Sequence, residues 1–186
     1  MSKKEIEICL ATVSATLGKQ IEVGKRVNAQ HKSLFRRFRA ENLGLVTSLK
    51  EAARIRGRVL KSDLLILSVA TGGTERLICD ICGETKGLII LYPTFSDNSF
   101  ASCLEAFSKL KRTRENIRLV LEKNGKAIEK VAFYAKIIGA IKELDGSKLG
   151  VIGGISAWLV ATTENRELTK KKLGVRTVEV NMDELL

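Results

Sequence analysis

Short apolar runs of strand length alternate along the chain with stretches whose apolar positions recur every three or four residues. That alternation predicts βαβ units and a parallel sheet, because period-2 or continuous apolar runs suit strands and a period near 3.6 suits amphipathic helices. The pattern predicts strands at Glu5–Val13, Leu43–Thr47, Ser62–Ala70, Leu88–Tyr92, Ile117–Glu122, Leu149–Ile152 and Val175–Val180. Between them it predicts a helix within Gly18–Ala40, then helices over Leu49–Arg56, Glu75–Cys82, Phe100 to about Lys111, Lys126–Leu144 and Ala157–Lys172. Thr47-Ser48 caps the second helix, Gly57 stops it, Asn124-Gly125 precedes the long one, and Gly174 ends the last. The expected architecture is a doubly wound, mostly parallel α/β sheet with helices on both faces, a Rossmann-like three-layer sandwich. It forms a single domain over 1–186, with a possible subdivision near 145–148.

The run Asp63-Leu-Leu-Ile-Leu-Ser-Val-Ala ends in Thr71-Gly72-Gly73-Thr74-Glu75. A buried strand there would deliver a tight turn to the carboxyl end of the sheet, where open α/β sheets bind ligands. Paired glycines allow positive φ and close backbone approach, and Thr74 is placed to cap the helix opening at Glu75. Thr71 and Thr74 would offer hydroxyls, Gly72 and Gly73 amides, and Glu75 an acceptor, a set suited to a neutral polyol. An anion is disfavoured by Glu75, and the lysine-bearing Walker spacing is missing. Asn98-Ser99 and Gly153-Gly154-Ile155-Ser156 form two further strand-to-helix junctions. Asn98 and Ser99 could line the same cleft or simply cap the helix after them. Ser156 and Trp158 are similarly divided, since tryptophan both packs in cores and stacks on sugar faces.

These junctions also carry a resemblance that covers nearly the whole chain. Val69–Glu75, Asn98-Ser99 with Ala101, Leu104 and Glu105, and Leu149–Leu159 together resemble the amino-terminal part of L-fucose/L-arabinose isomerase-like proteins. The resemblance implies an α/β sandwich that, in complete members, precedes further domains and helps to cover an active site in an oligomer. Those enzymes interconvert an aldose and a ketose with a divalent metal held by carboxylates and a histidine. The metal-bearing regions lie beyond the part this chain matches. The resemblance therefore implies a noncatalytic sugar-binding or assembly module of carbohydrate metabolism. The expected partners are a monosaccharide and either a second copy of the chain or a separate isomerase-like chain that completes a two-chain enzyme.

Charge adds an alternative. Of a net +11, residues 1–60 hold 13 Lys/Arg against 5 Asp/Glu, and residues 61–186 hold 19 against 16. His31-Lys32-Ser33-Leu34-Phe35-Arg36-Arg37-Phe38-Arg39 interleaves aromatics with cations, so Lys32, Arg36, Arg37 and Arg39 are candidate nucleic-acid contacts. Helical spacing supplies the plainer account: Leu34, Phe35 and Phe38 share one face and the cations occupy the solvated arc.

The four cysteines, Cys9, Cys79, Cys82 and Cys103, are too few and too unevenly placed for a disulfide scaffold. Cys79-x-x-Cys82 lacks the second pair or histidines of a zinc site, and it sits late in its helix, where a thiolate is not stabilised. No metal or cofactor is expected. With no apolar run of about 18 residues and no leader pattern, no membrane contact is expected and a cytoplasmic location is.

Overall fold

The computed structural model describes residues 5–153 and 165–182. Two compact units divide the chain, one of residues 6–135 and one of residues 1–5 with 136–186.

In the first unit, five parallel strands lie in the order β2 (Glu41–Val46), β1 (Ile8–Val13), β3 (Leu64–Val69), β4 (Leu88–Pro93), β5 (Ile117–Leu119). The doubly wound fold is thus present. The connecting helices are α1 (Gln20–Leu34), α2 (Leu49–Lys61), α3 (Glu75–Cys82) and α4 (Ser99–Lys111), and α5 (Asn124–Leu144) follows β5. Right-handed crossovers put α1 on one face of such a sheet and α2, α3 and α4 on the other.

Both faces of the central strands are covered, so every residue of β1 and β3 is buried. Cys9, Ala11 and Val13, with Leu65, Leu67, Val69, Ile89 and Leu91, pack against Ala52, Val59, Ile78, Cys82, Cys103 and Ala106 from α2, α3 and α4. The alternate residues face α1. In that layer Leu10, Ile66 and Ile90 form one row in register, and Thr12, Ser68 and Tyr92 form the next. The polar row meets α1: Thr12 Oγ1 donates to Asn28 Oδ1 at 3.1 Å, His31 hydrogen-bonds Ser68, and the His31 and Tyr92 rings lie 4.9 Å apart. Pairing of β1 with edge strand β2 slips by one residue between Leu10 and Ala11, and Gly44, at φ +88°, takes the bulge that a side chain would resist.

The second unit holds a separate parallel pair, β6 (Lys148–Ile152) with β7 (Arg176–Val180), joined through α6 (Arg166–Leu173). Asn165 caps α6 by accepting from the Leu168 amide at 2.8 Å, and Gly174 closes it at φ +69°. The Ser147 amide donates to the Leu144 carbonyl at 2.9 Å across the Asp145-Gly146 turn, and the Gly146 amide ties that turn to the Gly174 carbonyl at 3.0 Å.

Several expectations are corrected. The seven strands found among the described residues form two sheets. Gly57 does not stop α2, which runs to Lys61 because Ala52 and Val59 bury one face and Ser48 caps its start. The cost of a mid-helix glycine, about 1 kcal/mol, is too small to break such a helix. Gly125 lies inside α5, and β5 ends at Leu119. Ser48 does cap α2, accepting from the Glu51 amide at 3.3 Å, while Glu51 Oε2 accepts from the Thr47 amide at 2.7 Å.

A candidate site at the carboxyl rim of the sheet

β1 sends its chain to α1 on one face and β3 sends its chain to α3 on the other, so the strand order reverses direction between them. Parallel sheets open a crevice at that reversal, beyond the strand ends. Here it is an open cleft of about 440 Å³. One wall is the turn after β1, Ser14-Ala15-Thr16-Leu17; the second is Thr47-Ser48-Leu49 at the start of α2; the third is Gly73-Thr74 with Arg76 and Leu77 of α3. Hydroxyl-bearing residues and the leucines Leu17, Leu49 and Leu77 dominate the lining, with the exposed Arg76 guanidinium as its cation.

The walls are fixed from within. Thr71 Oγ1 accepts from the Ala15 amide at 2.9 Å, tying the turn after β3 to the turn after β1. Ser14 Oγ donates to the Gln20 carbonyl at 2.7 Å and holds the start of α1. A Cβ on Gly24 would lie 2.7 Å from Ser14 Cβ, so this glycine admits the close approach of α1 to the turn. The Gly72 amide donates to the Asp97 carbonyl at 2.5 Å, and a Cβ there would stand 2.8 Å from Asn98 Cβ. Thr74 does not cap α3 with its side chain: its Oγ1 donates back to the Thr71 carbonyl at 3.1 Å. Glu75, half-buried, accepts from Ser102 Oγ.

The sequence-predicted residues thus divide. Gly73 and Thr74 line the cleft, Thr71 and Gly72 are buried in the framework that shapes it, and Glu75 is engaged with α4. Asn98 and Ser99 are brought beside Gly72. Ser99 is buried against Thr94, their hydroxyl oxygens 3.0 Å apart, and Asn98 is exposed at φ +58° without a side-chain cap. The third junction belongs to the second unit; Gly153 has φ +71°, and Ser156 and Trp158 lie outside the described residues.

Lys32, Arg36, Arg37 and Arg39 are all exposed, while Phe35 is buried and Leu34 and Phe38 are half-buried, the arrangement helical spacing predicts. Arg37 lies over the Phe38 ring at 5.0 Å and donates to the Ile128 carbonyl at 3.4 Å. None of the four makes an ion pair among the described residues. His31, in contrast, is buried, and loss of hydration pushes its pKa down to about 4, so it is neutral at pH 7. Burial pushes the Cys9 thiol up to about 11 and the Cys103 thiol up to about 12; it also raises Cys82 and the half-buried Cys79. These thiols stay protonated and pack as small apolar groups. Among the described residues, no three His, Cys, Asp or Glu side chains gather as a metal site, and no helix is long and apolar enough to cross a membrane.

Sequence reasoning missed the walls contributed by β1 and β2. Ser14-Ala-Thr-Leu-Gly18 carries the same signal as Thr71–Thr74, hydroxyls and a glycine between strand and helix, without a glycine pair to draw attention. No family model matches the chain, and no curated protein matches it.

Proposed function

We propose that the first unit is a binding module for a small neutral polyol or monosaccharide, seated in the cleft between the ends of β1, β2 and β3. The observation that carries this reading is the lining itself: hydroxyls of Thr16, Thr47, Ser48 and Thr74 beside the apolar side chains of Leu17, Leu49 and Leu77, at the point of the sheet where ligands collect. Such a lining suits a ligand whose own hydroxyls both donate and accept. Arg76 would supply a directional donor pair at the mouth. The resemblance to the amino-terminal part of L-fucose/L-arabinose isomerases supports a sugar and an assembly role, as a homo-oligomer or beside a separate isomerase-like chain.

Calorimetric titration with L-fucose, L-arabinose and their alditols tests the proposal. Saturable binding at one site is expected, weakened at least tenfold by Arg76→Ala and by Thr16→Val. Binding that survives both substitutions would remove the cleft from the account. The cleft walls offer no carboxylate or imidazole among the described residues, so this chain alone is expected not to isomerise fucose or arabinose with added manganese. Turnover abolished by a chelator would contradict that expectation; turnover only on adding a second chain would identify a two-chain enzyme.

A second reading is favoured by the exposure of Lys32 in the last turn of α1 and of Arg36, Arg37 and Arg39 in the short segment that follows it. Four cations so placed suit contact with a polyanion, and nucleic acid is the alternative partner.

A further inference from the structure

A second cleft, of about 350 Å³, opens between α1 and the segment that leaves β4, and it shares no residue with the first. Its apolar floor comes from Val23, Val27, Tyr92 and Pro93, and its rim carries Arg26 and Gln30 from α1 and Lys123 from just ahead of α5. One cation comes from α1 and the other from the segment between β5 and α5, and no carboxylate lines the cleft among the described residues. Arg26 makes no ion pair among the described residues, and Lys123 is held at the mouth with its ammonium 4.9 Å from the centre of the Phe95 ring. Phe95 in turn stacks on Phe100 at 5.8 Å.

The segment that forms the outer wall is rigidly tied. Thr94 Oγ1 donates to the Ala70 carbonyl at 3.1 Å, and the Ser99 amide donates to the Ser96 carbonyl at 2.8 Å. His31, a buried residue of the lining, carries no charge at neutral pH and so leaves Arg26 and Lys123 as the charged groups of the cleft.

We propose that this cleft binds a phosphate group, held between the Arg26 guanidinium and the Lys123 ammonium with the Gln30 amide as a further donor. A guanidinium presents paired donors to two phosphate oxygens, and a second cation, an ammonium, neutralises the remaining charge. The exposed Phe95–Phe100 stack beside Lys123 gives any organic part of the ligand an apolar surface to lie on.

Titration calorimetry at constant ionic strength, with inorganic phosphate and separately with ribose 5-phosphate, tests the site. Saturable binding to the wild-type chain is expected, at least tenfold weaker in Arg26→Gln and in Lys123→Gln. Arg54→Gln, which removes the same charge from the exposed side of α2, is expected to bind like wild type. Tighter binding of ribose 5-phosphate than of inorganic phosphate would support the site and identify a phosphorylated small molecule; equal binding would support it and identify free phosphate. Absence of saturable binding, or an equal loss in Arg54→Gln, would overturn the proposal, the latter by reducing the effect to net charge.

Discussion

His31 gives the fold a pH dependence whose sign follows from its burial. Its folded pKa, near 4, lies below the ordinary 6.5, so between these values the unfolded chain binds more protons than the folded one. Its contribution is fully present above about pH 6.5 and is lost as pH falls toward 4, at most about 3 kcal/mol. Urea unfolding between pH 7.5 and 4.5 should show this loss, and His31→Gln should flatten it; an unchanged slope would contradict the burial argument. The glycines offer a sharper contrast. A Cβ on Gly87 would stand 2.3 Å from the Ser62 carbonyl oxygen, so Gly87→Ala should destabilise by more than about 1 kcal/mol. Gly57 has nothing within 4 Å of its Cβ position and sits exposed in mid-helix, so Gly57→Ala should stabilise by about 1 kcal/mol. A sequence cannot separate these glycines, because what distinguishes them is a backbone oxygen contributed from another part of the chain.

At the scale of elements, what was legible depended on whether the signal was local. α3 spans Glu75–Cys82 as its pattern predicts, and the start of α2 follows from Thr47-Ser48 and Glu51, which satisfy one another's backbone donors. Ser48→Ala should therefore cost about 1 kcal/mol, measurable by denaturant unfolding. Thr74 fails as a cap because its backbone, at φ −111° and ψ 4°, is outside the extended region a capping residue takes, and its hydroxyl points back to the Thr71 carbonyl. Ser68 read as part of an apolar strand, yet it belongs to a buried polar row with Thr12 and Tyr92 whose partners sit on α1. Register and helix packing create that row, and neither is encoded in spacing along one strand. Cys9 packs from β1, Cys82 from α3 and Cys103 from α4 into the core, while Cys79 is half-buried on α3. With native protein, a thiol reagent should modify the half-buried Cys79 first and reach Cys9, Cys82 and Cys103 only on unfolding.

For the molecule as a whole, alternation of strands and helices was enough to establish a doubly wound parallel sheet, but not its order. Only the order β2-β1-β3-β4-β5 places the turns after β1 and β3 on either side of a reversal, and with it the cleft. The sequence offered a possible subdivision near 145–148, just ahead of β6, but not that β6 and β7 pair with each other, since a strand pattern alone does not say which sheet it joins. Charge acts at this scale too. If the exposed basic turn binds nucleic acid, affinity should fall steeply with salt, and replacing Arg36, Arg37 and Arg39 with Ala should flatten the log–log slope by up to about 0.9 for each phosphate no longer neutralised. An unaltered slope would leave the net charge of +11 as the whole of the attraction. The central claim is that the reversal point holds a small polyol. Its most direct test is a backbone amide NMR titration with L-fucose and L-arabinose. Saturating shifts confined to Ala15, Thr16, Leu17, Thr47, Ser48, Gly73 and Thr74 are predicted for at least one sugar; shifts that do not saturate, or that gather away from these residues, would contradict it.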